Sequence, residues 1–195
     1  MHIIELDRRA VAESVWVVSL VGPADLDRPT PCLQWTLGDL LAHMTAQHRG
    51  FAAAARGNGS DLSAWRVGPL ADDPLKAYSV AADDVVAAFA EPGVADARFT
   101  LPEFSTEVTF RGERAIGFHF LDYVVHSWDV ARSLGVHLDL PPDLVRAALP
   151  LAEAVPDGPG RAQPGAAFAP RLSPDPDAID LDRLLALTGR SADWR

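Results

Sequence analysis

The sequence predicts a mainly α-helical fold, a helical bundle that carries one small β-hairpin. Three observations predict it. Apolar residues recur at helical spacing along several long segments. Those segments are bounded by capping and stopping residues. Only two short runs are rich in β-formers. The 195 residues suit one domain, or one domain with an appended subdomain. A chain of that length buries about 70% of its unfolded surface and needs no covalent staple.

A first helix is predicted over 5–21, with Leu6, Ala10, Val11, Val15, Val18 and Leu20 approximating helical spacing, and Gly22-Pro23 as its stop. The segment 22–35 holds three prolines and two aspartates and reads as a connector. Thr36 is the expected N-cap of the next helix, with Asp39 completing a capping box in which Asp replaces the usual Glu or Gln. That helix runs to about Arg56 and stops at Gly57-Asn58-Gly59. Leu40, Leu41, Met44, His48, Phe51, Ala52 and Ala55 share one stripe, with His43 and Gln47 on its flank.

Residues 58–73 are polar and Gly-rich, a loop. Asp73-Pro74 opens a third helix that ends before Pro92-Gly93. Ala97–Leu101 and Thr106–Phe110 are the two runs that predict the hairpin. From Glu113 to Leu134 apolar residues surround most of the helix, so it should be central and buried, with Gly135 ending it. Pro141-Pro142-Asp143 starts a helix to about Ala154, 156–178 is a long Pro/Gly/Asp-rich loop, and Leu181–Thr188 is a last short helix. The expected division is a bundle over 1–138 and a C-terminal helical extension over 139–195 packed on it.

Composition narrows the function. Lys and Arg total 17 against 27 Asp and Glu, a net charge of −10. That balance disfavours non-specific nucleic-acid binding and docking on an anionic membrane. The single Cys excludes an internal disulfide framework and a Cys-rich zinc cluster. No apolar run approaches the roughly 18 residues of a membrane span, and the N-terminus lacks a signal-peptide pattern. A cytoplasmic location is expected. No phosphate-binding glycine loop, His-Glu-x-x-His or Gly-x-Ser-x-Gly occurs.

The chemistry concentrates on the central helix. His119, Asp122, His126 and Asp129 fall within roughly an 80° arc of it. Lone carboxylates are costly in a bundle core. These groups therefore pair, bind a cation, or line a wet pocket. Asp122 and His126 lie one turn apart and can reach one point beside the helix. An intrahelical hydrogen-bonded pair is the plain alternative. As metal ligands they need a third group, for which His43 is the candidate, although a flank histidine bonded to a carbonyl or to Asp39 is equally ordinary. Two imidazoles, a carboxylate and one open position make a catalytic type of site for a borderline metal such as zinc. Asp129 and His119 would orient His126 or a water, and His48 or Tyr123 would move protons. Cys32 is expected to be a buried structural thiol, Trp35 and Trp128 packing groups, and His2 and His137 solvated.

Two stretches carry a family resemblance. Thr30–His43, with its Thr-Pro-Cys, Trp35 and His43, resembles the second-helix signature of the mycothiol-dependent maleylpyruvate isomerase-like proteins of the DinB-like metal-binding superfamily. Phe118–Arg132 resembles their third-helix signature. Val155–Gly158, Pro164–Phe168 and Asp182–Arg190 are similar to one branch of the family. The resemblance implies an up-down-down-up four-helix bundle with the hairpin before the third core helix. It implies a divalent metal, zinc or alternatively nickel or another ion, held by His43, Asp122 and His126. The isomerases have Glu where this chain has Asp122, and a separate C-terminal domain where this chain has a short extension.

The implied function is a metal-dependent transferase or isomerase. It would activate a low-molecular-weight thiol of the mycothiol type as cosubstrate for attack on a small electrophile. Small molecules are then its partners, with a monomer or homodimer as the assembly and His48, His119 and Asp129 as further catalytic candidates. Arg49 or Arg114 could recruit a carboxylate. A non-catalytic metal staple or sensor, and a metal-hydroxide hydrolase, are the rival readings.

Overall fold

The computed structural model describes residues 2–32, 35–105, 107–163 and 166–195. Of the segments singled out above, Leu33 and Gln34 in the connector, Thr106 before the second strand, and Pro164 and Gly165 in the tail lie outside the described residues.

Four long helices form the core: α1 (Ile3–Val18), α2 (Leu37–Ala55), α3 (Pro74–Phe89) and α4 (Gly112–Leu134). α1 packs along α4 and α2 along α3, and contacts of α1 with α3 and α2 with α4 close the bundle. Strands β1 (Arg98–Thr100) and β2 (Thr109–Arg111) pair antiparallel with Phe99 opposite Phe110. The hairpin stands between α3 and α4, so the helix it precedes is fourth in chain order. α5 (Pro142–Ala154) packs on α4, and α6 (Asp180–Leu187) packs on α5.

The elements follow their local signals. The Thr36 hydroxyl accepts from the Asp39 amide at 3.1 Å, and the Asp39 carboxylate accepts from the Thr36 amide at 3.0 Å, the capping box that the sequence predicts. Asp73 caps α3 ahead of Pro74. Gly135 ends α4 with φ +70°, a left-handed value that glycine adopts without strain. α1 starts and stops earlier than predicted. His2 caps it through a ring nitrogen, and it ends at Ser19, whose hydroxyl donates to the Trp16 carbonyl. Leu20, expected on its apolar face, is therefore exposed.

α4 is apolar nearly all round, as a central helix must be, with Ile116, Phe120, Tyr123, Val124, Val125 and Val130 fully buried. The larger apolar cluster joins all six helices, with Tyr78 and Ala82 contributed by α3. A smaller one, built on Phe51, Trp65, Phe89, Phe99 and Ile116, closes the hairpin end. The polar residues of α4 are thus held rigidly on a helix packed on most of its sides.

Candidate metal centre

His43 sits two turns into α2, just beyond its capped end, half-buried, with its ring 4.7 Å from that of Trp35. Asp39 spends its carboxylate on Thr36 and does not hold His43. On α4, the Nε2 of His126 lies 3.3 Å from Asp122 Oδ1, one helical turn away. The rings of His43 and His126 meet edge-on with centroids 5.6 Å apart. One donor atom from each of His43, Asp122 and His126 falls within 4.8 Å of the others. His126 is buried, whereas the Asp122 side chain keeps 20% of its exposure, so the cluster opens on the Asp122 side.

The electrostatics suit ligands. Burial, helped by the neighbouring His126, drives the pKa of His43 down to about 4, so His43 is neutral at pH 7 with a nitrogen lone pair to give. Burial alone would pull His126 down, but Asp122 and the hydrogen bonds to Asp122 and Asp129 outweigh it and raise its pKa well above the ordinary value. Burial likewise opposes ionisation of Asp122, and His126, then His43, reverse that and hold its pKa low. A cation placed among the three would displace the proton that His126 and Asp122 otherwise share.

A second layer lies behind the ring of His126. Its Nδ1 is 2.9 Å from Asp129 Oδ2. Asp129 is fully buried, and Arg190 from the chain's tail donates to it through Nη2 at 3.0 Å and Nε at 3.4 Å. Burial disfavours the Asp129 carboxylate, yet Arg190 and then His126 bring its pKa down to about 2. The Cys32 thiol donates to the same carboxylate at 3.2 Å and accepts from Arg190 Nη2 at 3.3 Å. Cys32, His126 and Asp129 also form a donor cluster, but the guanidinium occupies its edge and opposes a cation there. The cation-favourable side of His126 is Nε2.

His119 does not orient His126. Its Nδ1 meets Asp7 of α1 at 2.7 Å and its Nε2 meets Nδ1 of His48 at 3.1 Å. The reason is axial: residues 119 and 126 share a face but lie about 10 Å apart along the helix. His48 stacks on Tyr123, with centroids 4.0 Å apart, and Tyr123 donates to the Met44 carbonyl. Among the described residues the Nε2 of His48 has no hydrogen-bond partner. Burial raises the pKa of Asp7 against the opposing pull of His119, and lowers that of His48 well below its ordinary value. Asp7, His48 and His119 are each 1% exposed or less.

Sequence patterns missed three contributors. Cys32, expected as a buried structural thiol, is half-buried, and the sequence carries no sign of its place in the Asp129 network. Asp7 gave no signal beyond a carboxylate on the inner face of α1, which is itself unusual. Arg190 lies 61 residues from Asp129 and no local period connects them. A fourth residue, Glu103, accepts from Gln47 Nε2 at 2.8 Å, and burial raises its pKa. Trp128 is a packing group, buried under Arg132, while Trp35 is half-exposed against His43. His137 is exposed, as expected. Arg114 lies over the rings of Phe110 and Phe118. A separate cleft of about 460 Å³, lined by Arg28, Arg132, Trp194 and Arg195, lies at the C-terminal end of α4.

Comparison with known proteins adds family to geometry. The family model of the mycothiol maleylpyruvate isomerase N-terminal domain matches residues 8–131. Two uncharacterised proteins of Mycobacterium tuberculosis, from strains CDC 1551 and H37Rv, are each 32% identical over 171 residues, 85% of this chain and 85% of theirs. The crystal structures of mycothiol-dependent maleylpyruvate isomerase and of a histidine-to-alanine mutant of it share the fold. Each gives a TM-score of 0.59 at 14% identity, over 77% of this chain and 68% of the other. The family match ends within α4, so α5, α6 and Arg190 lie beyond it.

Proposed function

The chain belongs to the mycothiol maleylpyruvate isomerase N-terminal domain family. From that membership we propose that it is a divalent-metal enzyme activating a low-molecular-weight thiol, of the mycothiol type, for addition to or isomerisation of a small electrophile. The observation that carries this reading is the convergence of His43, Asp122 and His126 at a partly open point between α2 and α4. Two imidazoles and a carboxylate fit zinc, and three ligands with one free position fit a catalytic rather than a structural ion. When bound, the ion would supply the positive charge that lowers a sulfhydryl pKa toward neutrality.

The chain's own residues do the rest. His43 enters the site already neutral, so no proton need leave it at pH 7. Asp122, shorter by a methylene than the Glu of the isomerases, keeps its carboxylate close to α4 and to His126 Nε2. Asp129 holds the opposite edge of the His126 ring. Trp35 walls the His43 side. His48 and His119 are enclosed, and we assign them to the junction of α1, α2 and α4 rather than to contact with substrate. No helix among the described residues is long and apolar enough to cross a membrane, and a cytoplasmic site of action suits a thiol cosubstrate.

Metal analysis of the purified protein, followed by thermal shifts with a panel of thiols with and without chelator, tests the proposal. Thiols should stabilise the metal-loaded form alone. A loaded protein indifferent to every thiol would leave a metal-binding protein without thiol chemistry.

A further inference from the structure

The C-terminal tail reaches the back of the candidate metal centre, and its contact there is specific. α6 ends at Leu187, and Gly189 with φ +79° turns the chain, so that the Arg190 amide returns to the Leu185 carbonyl at 2.8 Å. A side chain at 189 would strike Ala169 at 2.7 Å, so glycine is required there. The turn sends the Arg190 side chain inward until it is 5% exposed. Its guanidinium lies 5.4 Å from the Phe168 ring, donates through Nη1 to the Thr188 carbonyl at 2.7 Å, and grips both oxygens of Asp129.

That grip has a chemical consequence. A carboxylate paired with a guanidinium is an acceptor only. The nitrogen of His126 that faces it, Nδ1 at 2.9 Å, must then be the one that carries a hydrogen. The remaining nitrogen, Nε2, is the one directed at Asp122 and His43. Cys32 completes the clamp by bonding both partners.

Resting on the proposed metal reading, we infer that Arg190 is a positioning residue of the metal centre: through Asp129 it fixes His126 with Nδ1 bonded and Nε2 presented to the ion. The extension beyond the family match thereby becomes part of the site. Without Arg190, the buried Asp129 carboxylate keeps only His126 and Cys32 as side-chain partners among the described residues and can turn, and the imidazole turns with it.

The test uses the full chain loaded with zinc. Affinity is measured by chelator competition, and the imidazole nitrogens of His126 by ¹⁵N NMR. Wild-type protein should ligate through Nε2, with the Nδ1 hydrogen protected from exchange. Arg190→Met should weaken zinc by about 10–100-fold, the usual effect of losing a partner behind a ligand, and should lose that protection. Arg190→Lys should recover part of both. Arg161 serves as the control, since it is buried in the same extension but donates to the carbonyls of Val155, Pro156, Ala169 and Leu187. Arg161→Met should lower thermal stability and leave zinc affinity within about threefold. An Arg190→Met protein with wild-type affinity and a protected Nδ1 hydrogen overturns the inference, as does an equal loss in Arg161→Met. Ligation through Nδ1 in the wild type overturns it even if the variants do not fold. Wild-type protein that takes up no zinc sinks the metal reading itself, a result distinct from these.

Discussion

α4 carries two histidine clusters made from the same residue types, and they are put together in opposite ways. Around His119, two imidazoles and the Asp7 carboxylate bond to one another in a line, sealed from water by α1 and α2. Around His126, one ring nitrogen is tied behind by Asp129, while the other converges with His43 and Asp122 at a point that solvent can approach. The first cluster bonds its members to one another and, among the described residues, leaves Nε2 of His48 without a partner. The second collects acceptors that face one another, which is unfavourable unless a proton or cation sits among them. Residue type alone does not make a metal site. Donors aimed at one another make a hydrogen-bond chain, and donors aimed at a shared point make a ligand set.

The contrast can be broken most sharply at His126. His126→Ala should reduce zinc content, measured by elemental analysis of the purified protein, from stoichiometric to background, while helicity by circular dichroism is kept. Full zinc retention would mean that the ligand set is elsewhere. The same removal in the other cluster should act on stability instead. Asp7→Ala leaves a buried ring nitrogen of His119 without its partner, which costs about 1–3 kcal/mol, read by urea denaturation. Zinc affinity should stay within about threefold.

A smaller effect separates the clusters by pH. Buried His48 keeps a pKa well below its ordinary value of 6.5. Asp7 and His119 border it in the hydrogen-bond chain, and Tyr78 and Tyr123 pack against its ring. Below about pH 6.5 the unfolded chain takes up a proton at this position that the folded chain refuses. Its contribution to stability is therefore complete above that pH and is lost as pH falls toward the depressed folded value. In metal-free protein His43 acts in the same direction down to its folded pKa of about 4. His48→Gln should flatten the acid side of the stability profile of the metal-free protein, measured by denaturation midpoints between pH 7 and 4.5.

The smallest effect is expected at the start of α2, which serves the open cluster before the closed one. Thr36→Ala removes the cap seven residues before His43 and should cost about 1 kcal/mol. Amide exchange should speed up in the first turns of α2 and stay slow at His48.

Much of this arrangement was legible in the chain. The Thr36–Asp39 box, the Asp73-Pro74 start and the Gly135 stop are local, each bonding residues within a few positions, so they survive any tertiary context. The Asp122–His126 pair was legible for the same reason: i and i+4 on a helix must meet. The role of His119 was not. Helical phase puts it on the stripe of His126, but phase says nothing about which neighbour arrives at which height. α1 delivers Asp7 there and α2 delivers His48. The partners of Cys32 were not legible either, because a thiol's neighbours in space come here from α4 and the tail.

The sequence by itself determined the helices, the caps at Thr36, Asp73 and Gly135, the hairpin between α3 and α4, and the pair of ligand types one turn apart, because these depend on contacts a few residues long. Only the tertiary structure decided that His43 meets that pair, that His119 belongs to Asp7, and that Arg190 closes on Asp129. Those contacts join residues 60 or more positions apart. They are set by how apolar faces pack, and the packing leaves no periodic trace in the polar residues it brings together.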